Sequence, residues 1–107
     1  LQSGAAKREH AEQAARQLLR LGLEALGLGV YELARLPRTA AEKSALEVWL
    51  RERSTVSLPW VSERLQMGHY TNASVGPGRM RPASLRKFRQ ARSKLDLLDT
   101  TRGEQNE

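Results

Sequence analysis

The chain has 107 residues, a net charge of +6, 39% hydrophobic and 5% aromatic residues, and no cysteine. That length suits a single domain, and a core drawn from Leu, Ala and Val fits packed helices better than a β-sandwich. Absence of cysteine excludes a disulfide scaffold, a cysteine-ligated zinc finger and a thiol nucleophile, and no apolar run approaches the roughly 18 residues of a membrane span.

The expectation is an all-α, soluble chain of a reducing compartment: cytoplasmic, and nucleoid-associated if bacterial. Residues 5–17 are too charged for a signal peptide. Residues 1–5 read as a frayed end. Over 6–28 the apolar positions Ala11, Ala14, Leu18, Leu21, Ala25 and Leu28 step by three and four, the stripe of an amphipathic helix. Gly27 and Gly29 stop it. A short apolar piece, 30–36, makes a connector of two helical turns before Pro37, which pushes its predecessor out of the α region. Tyr31 within it reads as a core or boundary residue.

Thr39 and Glu42 have capping-box spacing, so a helix is predicted from there to about Arg53. Ala41, Ala45, Val48 and Trp49 share its apolar face, while Glu42, Lys43, Glu47 and Arg51 fall on the wetter side. Ser57 with Pro59 reads as an N-cap with proline in the first turn of a helix over 58–66. Leu58, Val61 and Leu65 point inward, and Gly68 is the left-handed residue expected to close this helix.

Residues 46–75 carry the functional signal. Ser62 fills the small position that closely crossing helices require, Met67 the apolar turn position, and Gln66 stands where glycine is usual, so a turn longer than the shortest type is expected. His69, Tyr70, Thr71, Asn72 and Ser74 then supply groups that contact base edges and phosphates. His69 reads equally as a local cap, and Trp60 as a core residue or one lying on a sugar-phosphate backbone. Gly76, Pro77 and Gly78 end this reader at about Val75.

Charge is concentrated beyond it. Residues 76–107 carry eight basic and four acidic side chains, against five and four in each of 1–36 and 37–75, and between Arg79 and Lys94 no acid occurs. A polyanion is the natural partner; a solvated helix face is the plain alternative. Arg79 and Arg81 read as an arm toward a groove or as a soluble linker. A last helix is expected over 83–98, with Leu85, Phe88, Ala91 or Arg92, and Leu95 inward, and Arg86, Lys87, Arg89 and Lys94 around the rest. Residues 99–107 are expected to be a disordered tail beside a single domain of 1–98.

The run KSALEVWLRERSTVSLPWVSERLQMGHYTNAS resembles the C-terminal segment of REP-associated tyrosine transposases. More distantly, residues 50–75 are similar to the Trp-repressor-like DNA-binding domain of the bacterial replication initiator. With the preceding REHAEQAARQLLRLGLEALGL, the resemblance spans 6–75. It implies that Lys43, Arg51, Arg53, Thr55, Ser57, Trp60 and Arg64 take scaffold and phosphate-facing positions, and that 69–74 form the recognition element. The histidine pair those nucleases use to bind metal is absent, the only histidines being His10 and His69. The expectation is therefore a non-enzymatic domain with no metal, cofactor or small-molecule substrate.

The resulting reading is a helical bundle containing a helix-turn-helix that binds double-stranded DNA. Its candidate contacts are Arg53, Ser57, Arg64, His69, Tyr70, Thr71, Asn72, Ser74, Arg79, Arg81, Arg86, Lys87 and Arg89. A homodimer is a candidate assembly and the membrane is not a partner. The alternative is a helical protein-interaction or dimerisation module, in which the stripe over 6–28 docks a partner; RNA is a third candidate, without the aromatic platform its single-stranded readers favour.

Overall fold

A computed structural model describes residues 3–68 and 80–105, with side chains described for 6–68 and 80–99. The described residues are helical, without strands: α1 (Ser3–Ala25), α2 (Val30–Arg35), α3 (Ala41–Arg53), α4 (Leu58–Arg64) and α5 (Pro82–Gln105). The all-α expectation holds.

The centre of the molecule is α3. It packs against α5, α1 and α4, and α1 also packs on α5. Enclosed on several sides, α3 buries Ala41, Ala45, Leu46, Trp49 and Leu50 together with the polar Lys43, Ser44 and Glu47. Val61, Leu65 and Met67 approach from the α4 region and Phe88, Ala91 and Leu95 from α5. Fully buried side chains of this size contribute roughly 1.5–3 kcal/mol each. The expected inward line of the last helix is therefore observed, with Leu85 half-buried at its start.

The buried face of α1 is rotated from the expected stripe. Ala15, Leu19 and Gly22 are buried, whereas Ala14 and Leu21 are exposed. The cause is a close crossing at Gly22. A β-carbon there would lie 2.8 Å from Leu46 Cδ2 and 3.2 Å from both Leu95 Cδ2 and Trp49 Cζ3. Glycine is what lets α1 sit in the notch between α3 and α5, and periodicity counted on side chains passes over it.

Helix ends follow local chemistry. After α1, Gly27 is left-handed at φ 67°, its N–H donates to Glu24 O at 3.0 Å, and Leu28 N–H donates to Leu23 O at 2.9 Å. These are the two bonds of a Schellman motif. The predicted capping box of α3 is not formed. A turn closed by Ala40 N–H to Pro37 O at 3.0 Å carries the chain one residue further, and Ala40 becomes an N-cap without a side-chain bond. In α4 the predicted cap is present: Ser57 Oγ accepts from Trp60 N–H at 3.3 Å, with Pro59 in the first turn.

Two expectations about ends and edges are corrected. Tyr31 is 82% exposed and Val30 72%; α2 is so short that only Leu33 reaches the interior. The last helix does not stop at Leu98 but continues to Gln105, anchored where Asp99 meets Arg53. Residues 99–105 thus continue α5.

Candidate functional site

The segment leading into residues 69–75 is built from three parts: the α4 helix, the turn that closes it, and a buried lysine beneath that turn. Gln66, not Gly68, is the residue that closes α4. It lies at φ 56°, Gln66 N–H donates to Glu63 O at 3.2 Å, and Met67 N–H donates to Ser62 O at 2.9 Å. This repeats the Schellman geometry of α1 with glutamine in the glycine position. Gly68 is also left-handed, at φ 78°, but lies beyond the closure. Glutamine accepts the strain of that position, which costs about 1–2 kcal/mol for an L-residue; the length of the turn expected after it falls on 69–79, outside the described residues.

Tertiary contacts hold that strain in place. Met67 is fully buried beside Leu65 and Val61. Ser62 is 2% exposed, and its Oγ finds no hydrogen-bond partner among the described residues, so its contribution is small size at the crossing. Lys43 is 1% exposed, contrary to its expected place on the wet side of α3. Its Nζ donates to Gln66 O at 2.8 Å and to Leu36 O at 3.2 Å. Leu36 caps the C-terminus of α2, so one ammonium serves the carbonyl ends of two helices, where positive charge is favoured. Burial lowers the Lys43 pKa, and Arg38 nearby lowers it further.

Glu47, one turn along from Lys43, is also buried rather than wet, at 3% exposure. Burial raises its pKa, and the Arg51 guanidinium 3.4 Å away opposes that rise.

The expected contact residues separate into three groups. Ser57, Trp60 and Arg64 fall on one face of α4 by their spacing, and the Arg64 guanidinium lies over the Trp60 ring, 5.0 Å from its centroid. Trp60 itself is half-buried against the core. Arg81, Arg86, Lys87 and Arg89 are exposed; by helical spacing Arg86 and Arg89 lie on the side of α5 away from Phe88, Ala91 and Leu95, and Lys87 flanks that line. His69, Tyr70, Thr71, Asn72, Ser74 and Arg79 lie outside the described residues.

Arg53 has intramolecular partners. One edge of its guanidinium engages both oxygens of the Asp99 carboxylate, Nε at 3.0 Å from Oδ1 and Nη2 on Oδ2. Its Nη1 donates to Trp49 O at 3.2 Å and Glu52 Oε1 at 3.1 Å, and the group lies 5.0 Å from the Trp49 ring centroid. Arg92 Nη2 adds bonds to Glu52 at 3.0 Å and Asp96 at 3.4 Å. Arg53 thus clasps α3 to α5. The sequence carries no sign of this pairing, because Arg53 and Asp99 are 46 residues apart.

Elsewhere, an apolar groove of about 350 Å³ lies between α1 and the start of α2, floored by Leu19, Leu23, Leu28 and Val30. No group of three His, Asp or Glu side chains suited to a metal ion occurs among the described residues. No helix among them is long and apolar enough to cross a membrane. No family model, curated protein or solved structure matches the chain.

Proposed function

We propose that this chain is a non-enzymatic helix-turn-helix domain, transposase-like in its motif, that binds duplex DNA. The observation that carries the reading is the turn after α4. A small buried Ser62, a left-handed Gln66 and a fully buried Met67 meet the packing needs of such a motif and deliver the chain into the polar run 69–74. The exposed cations Arg81, Arg86, Lys87 and Arg89 support phosphate affinity, and Thr71, Asn72 and Ser74 are the candidates for base discrimination.

The experiment is fluorescence anisotropy with random and selected duplexes over a range of salt. Binding should weaken steeply with salt. Asn72→Ala should reduce discrimination more than non-specific affinity, and the pair Arg86→Ala and Lys87→Ala should lower affinity for all sequences and reduce the salt slope by about 2. Absence of binding to any duplex at low salt would reject the reading.

A second reading, a protein-interaction or dimerisation module, is favoured by the apolar groove beside α2 and the exposed Val30 and Tyr31. Sedimentation at two concentrations separates a self-associating chain from a monomer.

A further inference from the structure

A second groove, of about 500 Å³, opens between the first turns of α1 and the linker that joins α3 to α4. Lys7 and Arg8 line one side, Thr55 and Ser57 the other. Both cations are exposed, and neither has an ion-pair or hydrogen-bond partner among the described residues. The one acid on the rim, Glu12, faces Arg16 at 4.0 Å, so its charge is already partly answered.

The linker side is held in place. Ser54 Oγ donates to Leu50 O at 2.7 Å, and Ser57 Oγ accepts from Trp60 N–H. Accepting that bond leaves the Ser57 hydroxyl proton available to an outside acceptor. The exposed Thr55 hydroxyl is likewise available. Two cations and two hydroxyl donors therefore border one groove, a set that matches a ligand rich in acceptors and negative charge. By its spacing Ser57 also shares a face with Arg64, an exposed cation further along α4.

We propose that this groove seats the sugar-phosphate backbone of duplex DNA, through Lys7, Arg8, Thr55 and Ser57, as a contact on α1 separate from the recognition run and from the basic face of α5. The inference rests on the DNA-binding reading above. It adds α1, 50 residues from Ser57 in sequence by the numbering of Lys7, to the surface that faces the duplex.

The test compares three variants with the full wild-type chain, by anisotropy on a random duplex from low to moderate salt. All the replaced side chains are exposed, and thermal melts confirm that each variant is folded. The double variant Lys7→Ala/Arg8→Ala should reduce the slope of log K against log salt by about 2, as expected for two lost phosphate contacts. A reference double variant, Arg20→Ala/Arg35→Ala, removes the same charge away from the groove and should leave the slope unchanged. Thr55→Val should weaken binding about three- to tenfold, as for one lost hydrogen bond, with the slope kept.

Equal slope changes in both double variants would mean diffuse attraction and overturn the proposal. So would a Lys7/Arg8 variant or a Thr55→Val variant indistinguishable from wild type. If the wild type binds no duplex, the underlying DNA reading falls and takes the groove with it, which is a distinct result from normal binding that ignores the groove.

Discussion

Lys43 shows how much one side chain can decide. Its ammonium is buried at 1% exposure and donates to the terminal carbonyls of α2 and α4. Lys43→Met keeps the unbranched apolar stem but leaves both carbonyls short of a donor, so a loss of about 2–3 kcal/mol is expected in urea unfolding. The pH dependence has a definite sign. Burial lowers the pKa from 10.5, so between the lowered value and 10.5 the unfolded chain binds more protons than the folded one. Stability relative to Lys43→Met should therefore rise with pH across that interval and level off above it. A difference that falls with alkaline pH would contradict the burial argument.

Glutamine in a left-handed turn and glycine at a helix crossing are the two places where elements depend on a single backbone position. At Gln66, φ is 56°, and the side chain is exposed. Gln66→Gly should raise stability by about 1 kcal/mol, since the carbonyl that Lys43 binds is retained while the steric cost of the side chain is removed. An unchanged or lower Tm would argue that the turn is not strained. Gly22 is the opposite case. Its missing β-carbon leaves the space that Leu46, Leu95 and Trp49 approach, so Gly22→Leu should cost about 1–3 kcal/mol through overpacking, despite leucine's better helix propensity. Chemical denaturation measures it directly.

Across the molecule, α3 and α5 are joined by an apolar seam and by the charged clasp of Arg53, Asp99, Glu52, Arg92 and Asp96. The Glu52 carboxyl is held below its usual pKa by its hydrogen bond from Arg92, with Arg53 adding to this and burial opposing it. A depressed carboxylate stabilises the fold above its unfolded value of 4.5 and loses that contribution as pH falls through the folded value. Because the Glu52 side chain is 49% exposed, wild type should exceed Glu52→Gln by under about 1 kcal/mol at neutral pH. Urea midpoints measured at pH 7 and again in acid should show that margin disappearing. The clasp also explains why α5 continues past Leu98: Asp99 has a partner on α3 that the local polarity of the tail does not reveal.

Hydrophobic period, proline, glycine and N-cap chemistry are local, and they were enough to read the all-α class, the helix starting at Leu58 with its Ser57 cap, the inward line Phe88, Ala91 and Leu95, and the small and apolar positions at Ser62 and Met67. The same local rules misplaced Lys43 and Glu47 on a wet face, because a charged residue is sorted outward unless its partner is known. The carbonyl partner of Lys43 at Gln66 is 23 residues away, as Asp99 is 46 from Arg53, whereas Glu47 pairs with Arg51 only four residues on and is covered by packing. The rotation of α1 about Gly22, the left-handed Gln66 and the groove that joins Lys7 to Ser57 belong to the same class. Each exists only once separate helices press on one backbone position, so the free energy that selects it comes from packing rather than from the residue's own preference.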